Sequence, residues 1–124
     1  MIFVDRSIPR AVAEGLRHYR QDLVYLDDRF PRSTPDRVWL AEAGRQGWMV
    51  ITRDKKIRTR PAERRALVES GARCFVLTQK RDPTRQEYIA LLVRALPAME
   101  RVFATTPAPF LYSVDGTGIL KRLA

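Results

Sequence analysis

The run Trp48-Met49-Val50-Ile51-Thr52 carries no alternation of apolar and polar positions. A strand with one wet face alternates, whereas one that is apolar along its length has to be covered on both faces, as a central strand of a helix-flanked parallel sheet is. The rest of the chain fits that demand. Ile2–Val4, Leu23–Leu26 and Cys74–Thr78 read as further short strands, with Asp27-Asp28 ending the second. Val12, Ala13, Leu16 and Tyr19 recur at helical spacing and predict a helix over roughly Pro9–Tyr19, with Ser7 as its cap. Thr34-Pro35 opens a second helix that stops at Gly47, and Pro61–Ser70 forms a third, closed by Gly71. Thr84 and Glu87 have capping-box spacing for a fourth helix, Arg85 to about Ala104, bent near Pro97. Arg29–Ser33 and the basic stretch after Asp54 read as loops. Phe110–Val114 and Gly118–Leu123 read as a hairpin around Asp115-Gly116 that adds one antiparallel edge strand. The prediction is an α/β domain spanning residues 1–124, with a mainly parallel sheet and right-handed crossovers.

Charge narrows the function. The formal net charge is +9 and the pI about 10.6, so polyanions are the natural contacts. Of the 23 basic residues 19 are Arg, whose planar fork of donors suits phosphate oxygens. The single cysteine, Cys74, forms no internal disulfide and lies in an apolar run, which points to a reducing compartment. Asp5 and Arg6 interrupt the apolar start, so no signal peptide is expected, and no stretch is apolar for long enough to span a membrane. A cytoplasmic protein is the expectation. With one histidine, His18, the chain has neither a two-histidine ribonuclease mechanism nor a zinc site built on His and Cys.

Three acids stand out against this basic background. Asp5 closes the first strand, Asp54 follows the third, and Asp36 occupies the first turn of the second helix. Taken singly, each has an ordinary explanation in turn chemistry or the helix dipole. The helical wheel nevertheless puts Asp36 on the face of Trp39, Leu40 and Ala43, pointing to the sheet, while Glu42 lies off that face. All three acids are expected at one rim of the sheet, where α/β proteins collect ligands. Clustered carboxylates repel unless a cation neutralises them, and an all-oxygen set suits Mg²⁺ or Mn²⁺. Next to them runs the densest basic stretch, Arg53, Lys55, Lys56, Arg58, Arg60, Arg64 and Arg65. A run so one-sided repels itself without an anion to hold, and phosphate contacts are its natural use. Acids holding a cation inside a basic surface point to metal-dependent chemistry on nucleic acid.

These residues resemble the PIN-like nucleases, especially the short bacterial branch akin to VapC toxins. The similarity lies in Phe3-Val4-Asp5-Arg6-Ser7-Ile8-Pro9, in Pro35-Asp36-Arg37-Val38-Trp39-Leu40-Ala41-Glu42-Ala43, and in Val50-Ile51-Thr52-Arg53-Asp54-Lys55, which occur in the family's order across residues 2–78. The resemblance implies a Rossmann-like PIN fold and a divalent-metal endoribonuclease, often a toxin neutralised by an antitoxin partner. It makes Asp5, Asp36 and Asp54 the metal-binding acids and Thr52 a supporting hydroxyl. Arg53, Lys55, Lys56, Arg58 and Arg60 would then hold RNA phosphates. Larger relatives usually have Glu as the second acid and often carry a fourth. Asp82 is the candidate for that fourth acid, although Pro83 and Thr84 after it also mark a helix start. The exposed edge of the terminal hairpin would allow two chains to pair. Two rival readings remain. One is a PIN-like module that binds RNA or a partner without cutting. The other is a receiver-type signalling domain, disfavoured because Arg6 stands where a paired acid is needed.

Overall fold

A computed structural model describes residues 1–124. In chain order the elements are β1 (Ile2–Val4), α1 (Arg10–Leu16), β2 (Leu23–Tyr25), α2 (Leu26–Arg29), α3 (Asp36–Gln46), β3 (Met49–Thr52), α4 (Lys55–Thr59), α5 (Pro61–Glu69), β4 (Arg73–Leu77), α6 (Arg85–Thr105), β5 (Phe110–Val114) and β6 (Leu120–Arg122). The strands form one sheet in the order β2-β1-β3-β4-β5-β6. β1 to β5 are parallel, and β6 returns antiparallel to β5 as the edge of the hairpin. Every residue of β3 is buried, as its lack of alternation requires.

Side chains on the two faces of the sheet build two cores. On one face Ile2, Val4, Ile51 and Phe75 pack under α1 and α6. On the other Phe3, Val50, Cys74 and Val76 pack under α3 and α5, where Phe3 stacks on Trp48 at 5.0 Å between ring centroids. α3 and α5 approach so closely that a Cβ on Gly44 would run into the Ser70 carbonyl. Gly47 ends α3 in the left-handed region at φ 69°, where a side chain is strained.

The chain departs from the sequence expectations in four places. Asp27 and Asp28 do not end a strand but form the first turn of α2, paired with Arg6 and Arg10 at 2.9 and 2.7 Å. The basic stretch after Asp54 is not a loop but contains the short helix α4, anchored by its one buried apolar residue, Ile57. Ser7 caps no helix: α1 begins after Pro9 without a side-chain cap, and the Ser7 hydroxyl is used elsewhere. The crossovers also differ in hand. The sheet advances in the same direction from β2 to β3, from β3 to β4 and from β4 to β5, yet α3 and α5 lie on one face and α6 on the other. The last crossover therefore has the opposite hand to those two, so a uniformly right-handed set is not what the chain builds. α6 gains by this choice: it packs on α1 and helps build the larger core.

The capping box is present. The Glu87 amide donates to the Thr84 hydroxyl at 3.1 Å, and the Thr84 amide donates to Glu87 at 2.9 Å. α6 continues through Pro97 to Thr105. No helix is long and apolar enough to cross a membrane.

Candidate active site

The chain leaves β1 in one direction for β2 and resumes at β3 on β1's other side, so the sheet changes direction between β1 and β3. Crevices at such switch points, at the carboxyl ends of the strands, are where open α/β sheets hold ligands. Asp5 follows β1 and Asp54 follows β3, and the Asp5 amide donates across the junction to the Ile51 carbonyl at 2.9 Å. The local sequence thus puts two aspartates on the two lips of this crevice.

Asp5 is buried, with 7% of its surface exposed. The Arg6 amide donates to its Oδ1 at 2.8 Å, and the hydroxyls of Ser7 and Thr52 both donate to its Oδ2 at 2.8 Å. All three donors are uncharged. Burial holds the Asp5 carboxyl above the usual carboxylate range, the three donors pull against that rise, and the negative charge of Asp36 adds to it. A second pair of bonds ties the two strand ends together. The Arg53 amide donates to the Ser7 hydroxyl at 2.9 Å, and the Asp54 amide donates to the Thr52 hydroxyl at 3.1 Å. Ser7 and Thr52 are thus joints through which the β3 end fixes the orientation of Asp5. Thr52 stands where the sequence reading put it. Ser7 was missed because a Ser two residues before Pro9 also looks like a helix cap.

Asp36 lies on the Trp39 side of α3, as the wheel requires, and accepts from the Trp39 indole N–H at 3.1 Å. It is exposed rather than turned into the core, because as the first residue of α3 it extends past the packed part of that face. Asp54 is half-buried and caps α4, its Oδ1 accepting from the Lys56 amide at 3.0 Å. No three acidic, His or Cys side chains are gathered closely enough to form the ligand group of a metal. The expected tight triad is therefore not seen: one carboxylate is fixed at the crevice, and two flanking ones are each held by a single local donor. The remaining acids stand apart. Glu42 is engaged by Gln46 and Arg45 on its own helix, and the Asp82 side chain is 97% exposed and paired with Arg53 at 2.9 Å.

The basic stretch divides in two. Arg53 is not a free phosphate ligand as expected, because its guanidinium donates to Asp82, to the Tyr88 hydroxyl at 2.9 Å and to the carbonyls of Gln79 and Arg81. It ties the end of β3 to the loop before α6. Lys55, Lys56 and Arg60 are exposed, Arg58 is half-buried, and none of the four enters an ion pair. Cys74 is fully buried with its thiol pushed up by burial, so it supplies neither nucleophile nor ligand. His18 is exposed beyond the end of α1.

The donor set fits a hard divalent cation in its chemistry. It offers only oxygens, and the buried carboxylate at its centre has no positive side chain to balance it.

Residues 1–79 match the family model described as PIN like domain. Over 127 aligned positions, 98% of this chain and 91% of the relative, the chain is 31% identical to a Mycobacterium tuberculosis protein named "Putative ribonuclease VapC45". No solved structure matches the chain.

Proposed function

This chain belongs to the PIN-like domain family, and from that premise we propose that it is a divalent-metal-dependent endoribonuclease, the toxin of a toxin–antitoxin pair acting in the cytoplasm. The observation that carries the reading is Asp5: a buried carboxylate at the switch point of the sheet, oriented by two hydroxyls and lacking a counter-charge. A cation at that point relieves the desolvated charge, and metal-assisted phosphodiester hydrolysis uses one there.

In this proposal Asp5, Asp36 and Asp54 hold Mg²⁺ or Mn²⁺. When bound, such an ion supplies Lewis acidity, acidifying the attacking water and offsetting charge on the phosphoryl oxygens. Ser7 and Thr52 favour the ionised form of the Asp5 carboxylate against its burial and aim it. Lys55, Lys56, Arg58 and Arg60 hold phosphates that flank the cut bond, fixing register without reading sequence. The cognate antitoxin is a separate partner protein, and pairing of two chains along the exposed edge of β6 belongs to the same proposal.

The test is RNA incubated with the protein, with and without EDTA. Product bands that vanish with chelator and return on adding Mg²⁺ or Mn²⁺ are the expected result. The rival reading, a module that binds RNA without cutting it, draws on the absence of a gathered triad. Salt-sensitive RNA binding without chelator-sensitive products would establish that rival instead.

A further inference from the structure

Beside the acidic crevice, at the ends of β3 and β4, lies a cavity of about 220 Å³. Its wall includes Ser7, whose hydroxyl orients Asp5, so it opens directly next to the proposed reacting bond. Lys55, Arg58 and Lys80 also line it, with Asp82 as the only acid. Arg53 takes up that acid and, through the carbonyls of Gln79 at 3.3 Å and Arg81 at 3.0 Å, fixes the loop that forms the far wall. No ion pair engages Lys55, Arg58 or Lys80, so the lining is positive.

Two polar atoms of this lining are shut off from solvent without a partner, Gln79 Oε1 and Arg58 Nε. Such atoms cost stability unless something supplies their hydrogen bonds. Unpaired cations around an unpaired acceptor suit a ligand that is anionic at one end and carries N–H donors at the other. A nucleotide has both, in its phosphate and its base edge. The volume lies below the roughly 300–1,000 Å³ of pockets that enclose whole drug-sized ligands, which matches one nucleotide unit rather than a stacked run.

The geometry points to a subsite for one nucleotide of the RNA beside the cut bond, its phosphate held by Lys55 and Lys80 and its base edge met by the Gln79 amide once that side chain turns its covered, unpartnered oxygen into the cavity. This rests on the ribonuclease reading and deepens it, since it makes Gln79 a specificity-determining residue at a position with no acid chemistry. Neither Gln79 nor Lys80 belongs to the basic run 53–65; the turn after β4 brings them to the cavity.

Two measurements test it. In the first, product ends are sequenced after cleavage of an RNA pool randomised around the cut, for the wild type, Gln79→Leu and Lys80→Gln. The wild type should prefer one base at one flanking position by roughly tenfold, the size of one good base contact. Gln79→Leu should bring that preference close to unity, whereas Lys80→Gln should raise KM several-fold with the preference intact. In the second, the four nucleoside 5′-monophosphates and inorganic phosphate are titrated into the protein in EDTA. A mononucleotide should bind at least several-fold tighter than phosphate, and that advantage should disappear in Gln79→Leu. An unchanged base preference in Gln79→Leu, or phosphate binding as tightly as every mononucleotide, overturns the subsite while leaving the ribonuclease reading standing. A wild type that never cuts RNA strikes the ribonuclease reading, and the titration then decides the subsite alone.

Discussion

β1 and β3 lie side by side, and an aspartate follows each, but the two carboxylates have different surroundings. Asp5 is buried, accepts three hydrogen bonds from groups without charge, and is held above the ordinary carboxylate range by its burial. Asp54 is half-buried and accepts from the first turn of its own helix, α4. The backbone immediately downstream of each acid makes the difference. After Asp5 the loop turns back so that Ser7 reaches the carboxylate, and α1 starts only beyond Pro9. After Asp54 a helix starts at once, and its free N–H groups claim the side chain. A place at the rim of a sheet therefore does not fix an acid's chemistry. One lip of the crevice is a rigid anchor; the other is an acid already occupied by a structural task.

The sharpest way to break this contrast is to remove each charge while keeping its shape. Asp5→Asn should lower RNA cleavage by about three orders of magnitude, the loss of several kcal/mol of charge stabilisation around the metal. Asp54→Asn keeps a good helix cap and should lose cleavage comparably if Asp54 shares the ion. Cleavage by Asp54→Asn within a few-fold of wild type would reduce Asp54 to a cap and leave Asp5 and Asp36 as the site. A smaller effect sharpens the anchor's side of the comparison. Ser7→Ala removes a donor that favours the ionised form of Asp5, so its already raised pKa rises further. Neutral-pH cleavage should fall about tenfold, and the acid limb of the kcat/KM profile should move to higher pH. A tenfold loss with an unmoved acid limb would mean that Ser7 acts through the Arg53 amide rather than through Asp5.

Smaller again is the effect of Asp54 on stability. Asp54→Ala should cost about 1 kcal/mol in a denaturant titration, the usual cost of losing a cap, while Asp54→Asn should cost almost nothing. Equal losses from both would show that the charge, and not the capping bond, ties Asp54 to α4.

Much of the molecule was legible in the order of residues, and the parts that were not share a cause. The apolar run of β3, the capping box at Thr84 and Glu87, and the stop at Gly47 are local signals with one structural answer each, and all three are realised. The PIN-like assignment rested on three short motifs in order, and the family match over residues 1–79 spans all of them. Where one residue type serves two purposes, sequence alone does not choose. Ser7 could cap α1 or hold Asp5, and only the fold of the loop decides. Asp54 could end a strand or start a helix, and α4, with Ile57 as its only buried residue, is too short to show an apolar periodicity. Arg53 reads in the sequence as one basic residue among many, because Asp82, Tyr88 and the two carbonyls that surround its guanidinium lie far along the chain. The opposite hand of the β4–α6–β5 crossover leaves no trace in sequence, because it depends on which core the apolar face of α6 completes.

The subtlest expected effect concerns the cost of the anchor itself. Because the folded-state pKa of Asp5 is raised, the folded protein binds a proton there more tightly than the unfolded chain does. As pH climbs through the window from the ordinary carboxylate value to the raised one, the unfolded chain has already released its proton and the folded protein has not. Stability falls across that window and stays lower above it. Asp5→Asn removes the penalty, so its melting temperature should exceed that of wild type at neutral pH, with the gap closing as pH drops below about 4. Melts in EDTA from about pH 3 to about pH 8 measure this. A gap that is independent of pH, or one of opposite sign, would show that the carboxylate is not strained by its burial. Repeating the melts with Mg²⁺ or Mn²⁺ completes the comparison, since an ion that binds only the folded state raises the wild-type midpoint and leaves the Asp5→Asn midpoint in place.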